Sequence, residues 1–213
     1  MEDNNKSADV RELRLEIARL RTENQKLKNS NRRWMRIAGT DIHTGLPNKV
    51  FFSNVLLPKQ ISNANAEKQS IGCIMLAPDG LGEINERYGR RGGDSIVKEV
   101  AEFLKESVEF DERVVHIDGA NFVILQPEAN LQRTRRKGLA LRAKISNRNF
   151  EIDKNPVALT LSMGGVVRSK GPTGNQITTK EVVEDFLRRL QIMLDQAKQQ
   201  GGNRIEVDEE THF

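Results

Sequence analysis

From residue 10 onward, steps of three and four alternate and select Val10, Leu13, Ile17, Leu20, Asn24, Leu27, Asn31, Trp34 and Ala38. These positions are apolar except for two asparagines, and they form the a and d sites of a heptad repeat. β-Branched residues at the first two a sites, with Leu at the first three d sites, favour a parallel two-stranded coil. Asn24 and Asn31 fall on a sites, where a buried amide fixes register and strand number at some cost in stability. The flanks are Arg, Glu, Lys and Gln, so the stripe is narrow. The spacing predicts a dimerising helix over residues 1–38, ended by Gly39. The alternative is one amphipathic helix folded onto the rest of the chain.

Beyond Gly39 the period changes. Gly45 and Pro47 punctuate a loop over 40–48, in which Asp41 and Thr44 can hydrogen-bond to nearby backbone. A helix is predicted over 49–61, a polar connector over 62–70, an apolar strand over 71–77 and a helix over 80–88. Asp94 reads as the cap of a helix running to 108, with Ile96, Val97, Val100, Phe103 and Leu104 on its apolar side. A hairpin is predicted at 113–126, turning at Asp118-Gly119, because a tight primed turn needs positive φ at its centre. A basic helix over 130–147 comes next. A strand over 157–163 continues towards Val167, and a Gly/Pro loop fills 169–178. A helix over 180–199 stops at Gly201-Gly202, and Ile205 and Val207 suggest a last short strand. This mixed order predicts an α+β domain over 39–213, with helices against a central, mostly antiparallel sheet.

Composition narrows the picture. Among 213 residues no segment approaches the roughly 20 apolar residues of a membrane span. The charged first residues do not resemble a secretory signal. Cys73 is the one cysteine, so no internal disulfide can form. Its apolar neighbours give it a packing role, and a cytoplasmic location is expected. His43, His116 and His212 are scattered, with no metal spacing, phosphate loop or nucleophile elbow, so no cofactor is expected. The net charge of +4 is mixed along the chain and does not by itself specify nucleic acid. Arg133, Arg135, Arg136, Lys137, Arg142 and Lys144 read as a solvated basic helix face.

Several separated segments resemble the GGDEF family of diguanylate cyclases, in the family's order. Asp41-Ile42-His43-Thr44-Gly45-Leu46-Pro47-Asn48 resembles its opening motif. Ala77-Pro78-Asp79, Ile84-Asn85-Glu86-Arg87-Tyr88-Gly89 and Gly93-Asp94 resemble its first strand and following helix. Asp118-Gly119-Ala120-Asn121-Phe122 stands in the register of the signature itself. Leu161-Ser162-Met163-Gly164 is a weaker match, and Ala197-Lys198, Gly201 and Asn203-Arg204 resemble the closing motif. The resemblance runs from about Gly39 to Val207. Family members commonly carry an N-terminal coiled coil.

That resemblance implies a reaction and also implies its loss. The family joins two GTP molecules into cyclic di-GMP across two facing domains, with magnesium held by carboxylates at the end of the first strand and in the hairpin. The matching positions here are Ala77 and Ala120, and Asn121 replaces a second acid. No catalytic residues are therefore assigned. Asp118 replaces the signature's first glycine and adds bulk and negative charge. Asn85 and Asp94 match the residues that read guanine, and Lys198 matches a phosphate-binding lysine. The arginine usual nearby is Gly202. The family's inhibitory Arg-x-x-Asp corresponds to Glu109-Phe110-Asp111-Glu112, which lacks the arginine.

The expectation is a catalytically inactive GGDEF-like scaffold, homodimeric through its coil, acting on an unidentified protein partner. One alternative is a non-catalytic sensor of a guanine nucleotide, GTP or cyclic di-GMP, with modest affinity. Another is a coiled-coil adaptor using its basic helix on nucleic acid, ranked below both.

Overall fold

The computed structural model describes residues 2–168 and 179–210. The loop expected at 169–178 and His212 lie outside them. Two compact units divide at Gly39. The first is helix α1, Glu2–Ala38, of 37 residues, about 55 Å long at 1.5 Å per residue. Leu13 is 62% exposed, Ile17 47% and Trp34 67%. The side chain of Val10 lies outside the described residues. No described helix is long and apolar enough to cross a membrane.

The second unit opens with α2 (Lys49–Phe51), a π-helical turn (Phe52–Leu56) and α3 (Leu57–Glu67). Asn48 caps this run by accepting from the Phe51 N–H at 3.0 Å. The helix extends through two thirds of the predicted connector and stops at Lys68, whose φ is +54°. The remaining elements are β1 (Ile71–Pro78), α4 (Leu81–Ser107), β2 (Arg113–Asp118), β3 (Asn121–Pro127), α5 (Leu131–Ser146), β4 (Phe150–Ile152), β5 (Asn155–Val157), β6 (Leu161–Arg168), α6 (Thr179–Gln199) and β7 (Ile205–Glu210).

The main sheet has the order β2-β3-β1-β6-β7, antiparallel except for the parallel β6–β7 pair. This is the expected α+β fold. Strand β1 is buried along its whole length, and its side chains alternate between two cores. Ile74 and Leu76 join Ile96, Val100, Leu104 and Phe122 on one face. Cys73, Met75 and Ala77 join Phe52, Leu57, Phe186 and Leu190 on the other. Burial pushes the Cys73 thiol pKa up, which keeps it an inert apolar group. Helix α6 lies directly on β6: a Cβ at Gly164 would stand 2.2 Å from the Leu194 nitrogen. Only glycine permits that approach.

Four expectations are corrected. Helix α4 breaks at Gly89, with φ +69° and ψ 175°, and resumes before Asp94. Asp94 is therefore inside a helix and is not its cap. The strand expected from Val157 begins at Leu161, because Val157 pairs with Phe150 in a small separate hairpin. That hairpin turns through Asp153 and Lys154 at φ +50° and +66°, without a glycine to announce it. In the large hairpin Asp118 pairs with Asn121 across Gly119-Ala120, so the turn sits one residue later than predicted. Lastly, Lys137 of the basic helix is 9% exposed, on the buried stripe with Thr134, Leu141 and Ile145.

Candidate nucleotide-binding site

The end of β1 is welded to its neighbours by Asp79. Thr160 Oγ1 donates to Asp79 Oδ2 at 2.6 Å, and Ser162 Oγ donates to Oδ1 at 2.6 Å. The Asn203 N–H donates to Oδ2 at 3.1 Å, and the Asp79 N–H donates to the Thr160 carbonyl at 3.0 Å. Both carboxylate oxygens are thus committed, one of them twice. A Cβ at Gly202 would stand 3.2 Å from Asp79 Oδ1, so the turn after α6 presses on this junction. Ala77 is 3% exposed and its methyl belongs to the second core.

The hairpin is similarly self-contained. Asn121 Nδ2 donates to Asp118 Oδ1 at 2.7 Å. Lys49 Nζ lies 4.0 Å from the other Asp118 oxygen. The Ala120 methyl packs against the first core. Behind the turn, His116 has its Nδ1 3.1 Å from Asp41 Oδ1 and its Nε2 2.9 Å from the Gly119 carbonyl. Its ring stacks at a tilt on Phe122, with centroids 5.0 Å apart. The Thr44 N–H and Oγ1 donate to Asp41 Oδ1 at 2.8 and 2.7 Å. His116 therefore ties the opening loop to the hairpin, a role that sequence reasoning missed. Burial pushes the Asp41 carboxyl pKa up, but the Thr44 bonds and the His116 charge outweigh it and leave the group below its ordinary value.

The two residues expected to read guanine are brought together. The break at Gly89 folds the second half of α4 back beside Asn85, so a Cβ at Gly93 would fall 2.0 Å from Asn85 Oδ1. Asp94 follows immediately. Both side chains are exposed, and no hydrogen bond or ion pair engages either among the described residues. Lys198 is also exposed, on the last turn of α6 before the Gly201-Gly202 turn. A cavity of about 250 Å³ beside Asp79 is lined by Gly80, Glu83, Arg87, Tyr88 and Val157 among others, but not by Asn85 or Asp94. That is below the roughly 300 Å³ where drug-sized ligand sites begin.

The stretch 109–112 is closed by its own chain. Glu112 is 2% exposed. It accepts from Gln126 Nε2 at 2.6 Å and forms a buried ion pair with Lys137. Arg133 bonds Glu109 at 3.3 Å and Asp111 at 3.0 Å. Burial disfavours the Arg133 charge, but Asp111 and then Glu109 and Glu112 outweigh it and raise its pKa. Two of the six cations read as a solvated face are therefore structural. Among the described residues no group of three or more His, Cys, Asp or Glu could hold a metal ion.

A family model described as "Diguanylate cyclase, GGDEF domain" matches residues 38–204. Diguanylate cyclase DosC of Escherichia coli K12 is 26% identical over 173 residues, covering 79% of this chain and 35% of DosC. Diguanylate cyclase DgcP of Pseudomonas aeruginosa is 27% identical over 168 residues, covering 79% of this chain and 24% of DgcP. The chain spans about a third or less of these curated relatives. Among solved structures, the coiled coil and GGDEF domain of DgcB from Caulobacter crescentus, in complex with c-di-GMP, aligns with a TM-score of 0.70 at 21% identity, covering 92% of this chain and 99% of that one. Diguanylate cyclase SiaD from Pseudomonas aeruginosa, in complex with its activator SiaC, aligns with a TM-score of 0.71 at 20% identity, covering 97% and 75%.

Proposed function

The chain belongs to the GGDEF family of diguanylate cyclase domains, and we propose that it serves cyclic di-GMP signalling as a catalytically silent member that acts through protein contacts. The observation that carries this reading is that methyl groups stand at Ala77 and Ala120 while the Asp79 and Asp118 carboxylates already accept hydrogen bonds from their own chain. Magnesium prefers six oxygen donors in octahedral geometry. Ala77 and Ala120 offer methyl groups. The Asn121 amide and the Asp118 carboxylate bond each other, and Asp79 already accepts three hydrogen bonds from side chains and backbone. These residues do not fit a magnesium site.

In this reading residues 1–38 form a parallel dimeric coil and residues 39–213 the degenerate domain. Leu13, Ile17, Leu20, Leu27 and Trp34, exposed on the lone helix, become buried along with Val10, while Asn24 and Asn31 set register. SiaD, a relative in fold, is solved in complex with its activator SiaC, which supports a protein partner for this fold. A cytoplasmic setting belongs to the same reading, with Cys73 kept reduced and packed.

The test is incubation of the full chain with GTP and magnesium or manganese. The expected result is no cyclic di-GMP above a heat-denatured control. Metal-dependent product above that control overturns the reading.

The open Asn85–Asp94 pair favours a second reading, a sensor that holds a guanine nucleotide without turnover, with Lys198 near the phosphates. A carboxylate accepts from guanine N–H groups, and an amide both donates and accepts. Calorimetry should show modest GTP affinity that Asn85→Ala/Asp94→Ala removes. No heat with the wild-type protein at high nucleotide concentration removes the sensor reading and leaves the scaffold.

A further inference from the structure

Helix α5 differs from the other long helices of its domain in the sign of its charges. Its 16 residues carry six cations and no acid. Helix α6 mixes both signs and pairs them along its own surface, Lys180 with Glu184 and both Arg188 and Arg189 with Asp185. Helix α4 pairs Glu102 with Lys105 in the same way. A solvated face gains from such pairs three and four residues apart, and α5 has none. Two of its cations, Arg133 and Lys137, are structural. The side chains of Arg135, Arg136, Arg142 and Lys144 are exposed, and no hydrogen bond or ion pair engages them among the described residues. The acids nearby are already held: Glu106 by Arg148, Glu109 and Asp111 by Arg133, and Glu112 by Lys137. On β7, Glu206 pairs with Arg204, and Asp208 pairs with Arg189 of α6.

The shape of this face is as telling as its charge. Leu139 is 49% exposed in the midst of the free cations. It lies three or four residues from Arg135, Arg136 and Arg142, the spacing that makes side chains neighbours on a helix surface. Ala140 and Ala143 beside it are exposed and small. The helix also lies flush with the domain. A Cβ at Gly138 would stand 2.2 Å from Ile205 Cδ1, so glycine lets α5 seat directly on β7. Thr134, Leu141 and Ile145 are buried on the same side.

An anionic polymer or an anionic surface could occupy four free cations. A nucleic-acid reader enters a groove or stacks bases on aromatic rings. Helix α5 does not protrude, and it carries no aromatic residue. A leucine ringed by cations gains nothing from phosphates alone. At a bilayer it enters between the headgroups while the cations hold the lipid phosphates. We infer that the exposed face of α5 is a docking face for an anionic lipid surface, on which the domain lies without crossing it. Each cation near such a surface strengthens binding about fivefold, so the four supply most of the affinity and its salt dependence. Leu139 supplies a smaller part that salt does not screen. The face requires neither the coil nor a nucleotide.

Co-sedimentation of the full chain with lipid vesicles tests this. The chain should pellet with vesicles containing about one third phosphatidylglycerol, remain in solution with phosphatidylcholine alone, and bind less as salt rises. Arg135→Gln/Arg142→Gln should lower the affinity about 25-fold. Leu139→Ser should lower it several-fold and leave the salt dependence unchanged. All three side chains are exposed, so both variants should melt at the wild-type temperature. No pelleting with the anionic vesicles at low salt overturns the inference, as does equal pelleting of wild type and Arg135→Gln/Arg142→Gln. Tighter binding to duplex DNA or single-stranded RNA than to vesicles, unchanged in Leu139→Ser, also overturns it and gives the face to nucleic acid.

Discussion

The end of β1 with its hairpin, and the break in α4, meet opposite fates in this domain. At the first, polar side chains are consumed by one another: Asp79 by Thr160, Ser162 and Asn203, Asp118 by Asn121, and Asp41 by Thr44 and His116. At the second, Asn85 and Asp94 stand together, exposed and unengaged among the described residues. The first region has polar groups that function as joinery. The second has polar groups that the fold does not use. A carboxylate in a familiar register is thus weak support for ligand chemistry until its hydrogen bonds are counted.

The comparison breaks if the committed groups prove dispensable, so they are the place to press first. Lys137→Met leaves the Glu112 carboxylate buried without its cation and should cost about 3–5 kcal/mol in urea denaturation. The double variant Lys137→Met/Glu112→Gln should recover part of that loss, because no charge remains buried. A loss below about 1 kcal/mol for the single variant contradicts the assignment. Asp79→Ala strands two hydroxyls and a backbone N–H, and should cost about 3 kcal/mol on the same scale.

A smaller effect is expected at Asp41, where pH is the probe. Its folded-state pKa is depressed, so its contribution is full above the unfolded value of about 3.9 and is lost as pH falls through the folded value. Denaturation from about pH 6 downward should show wild type losing stability in acid more steeply than Asp41→Asn, mainly below about pH 4. Parallel acid limbs contradict this. The smallest effect belongs to the open pair. Asn85→Ala and Asp94→Ala should each change stability by no more than about 0.5 kcal/mol. A larger loss makes them structural and erases the contrast.

Much of the frame was legible in the sequence. The apolar run of β1, the Asp-Gly hairpin and the α4 stripe each carry a local signal, and the resemblance fixed their order. Asp94 was misplaced because a capping residue and a helix interior look alike when the break falls at Gly89. The β4–β5 hairpin was missed because Asp153 and Lys154 adopt positive φ without a glycine. The commitment of Asp79 was beyond reach, since its partners lie 81, 83 and 124 residues away. Lys137 was within reach: Thr134, Lys137, Leu141 and Ile145 repeat at helical spacing on the buried side. A lysine inside an apolar stripe signals a buried partner, and only the fold could name Glu112.

The central claim is that no uncommitted donor set for a divalent metal remains at the end of β1 and the hairpin. The most direct measurement is manganese paramagnetic resonance with a non-hydrolysable GTP analogue. The account predicts that adding the protein leaves the free-manganese signal unchanged. A protein-dependent loss of free manganese signal, abolished by Asp118→Asn, would contradict it.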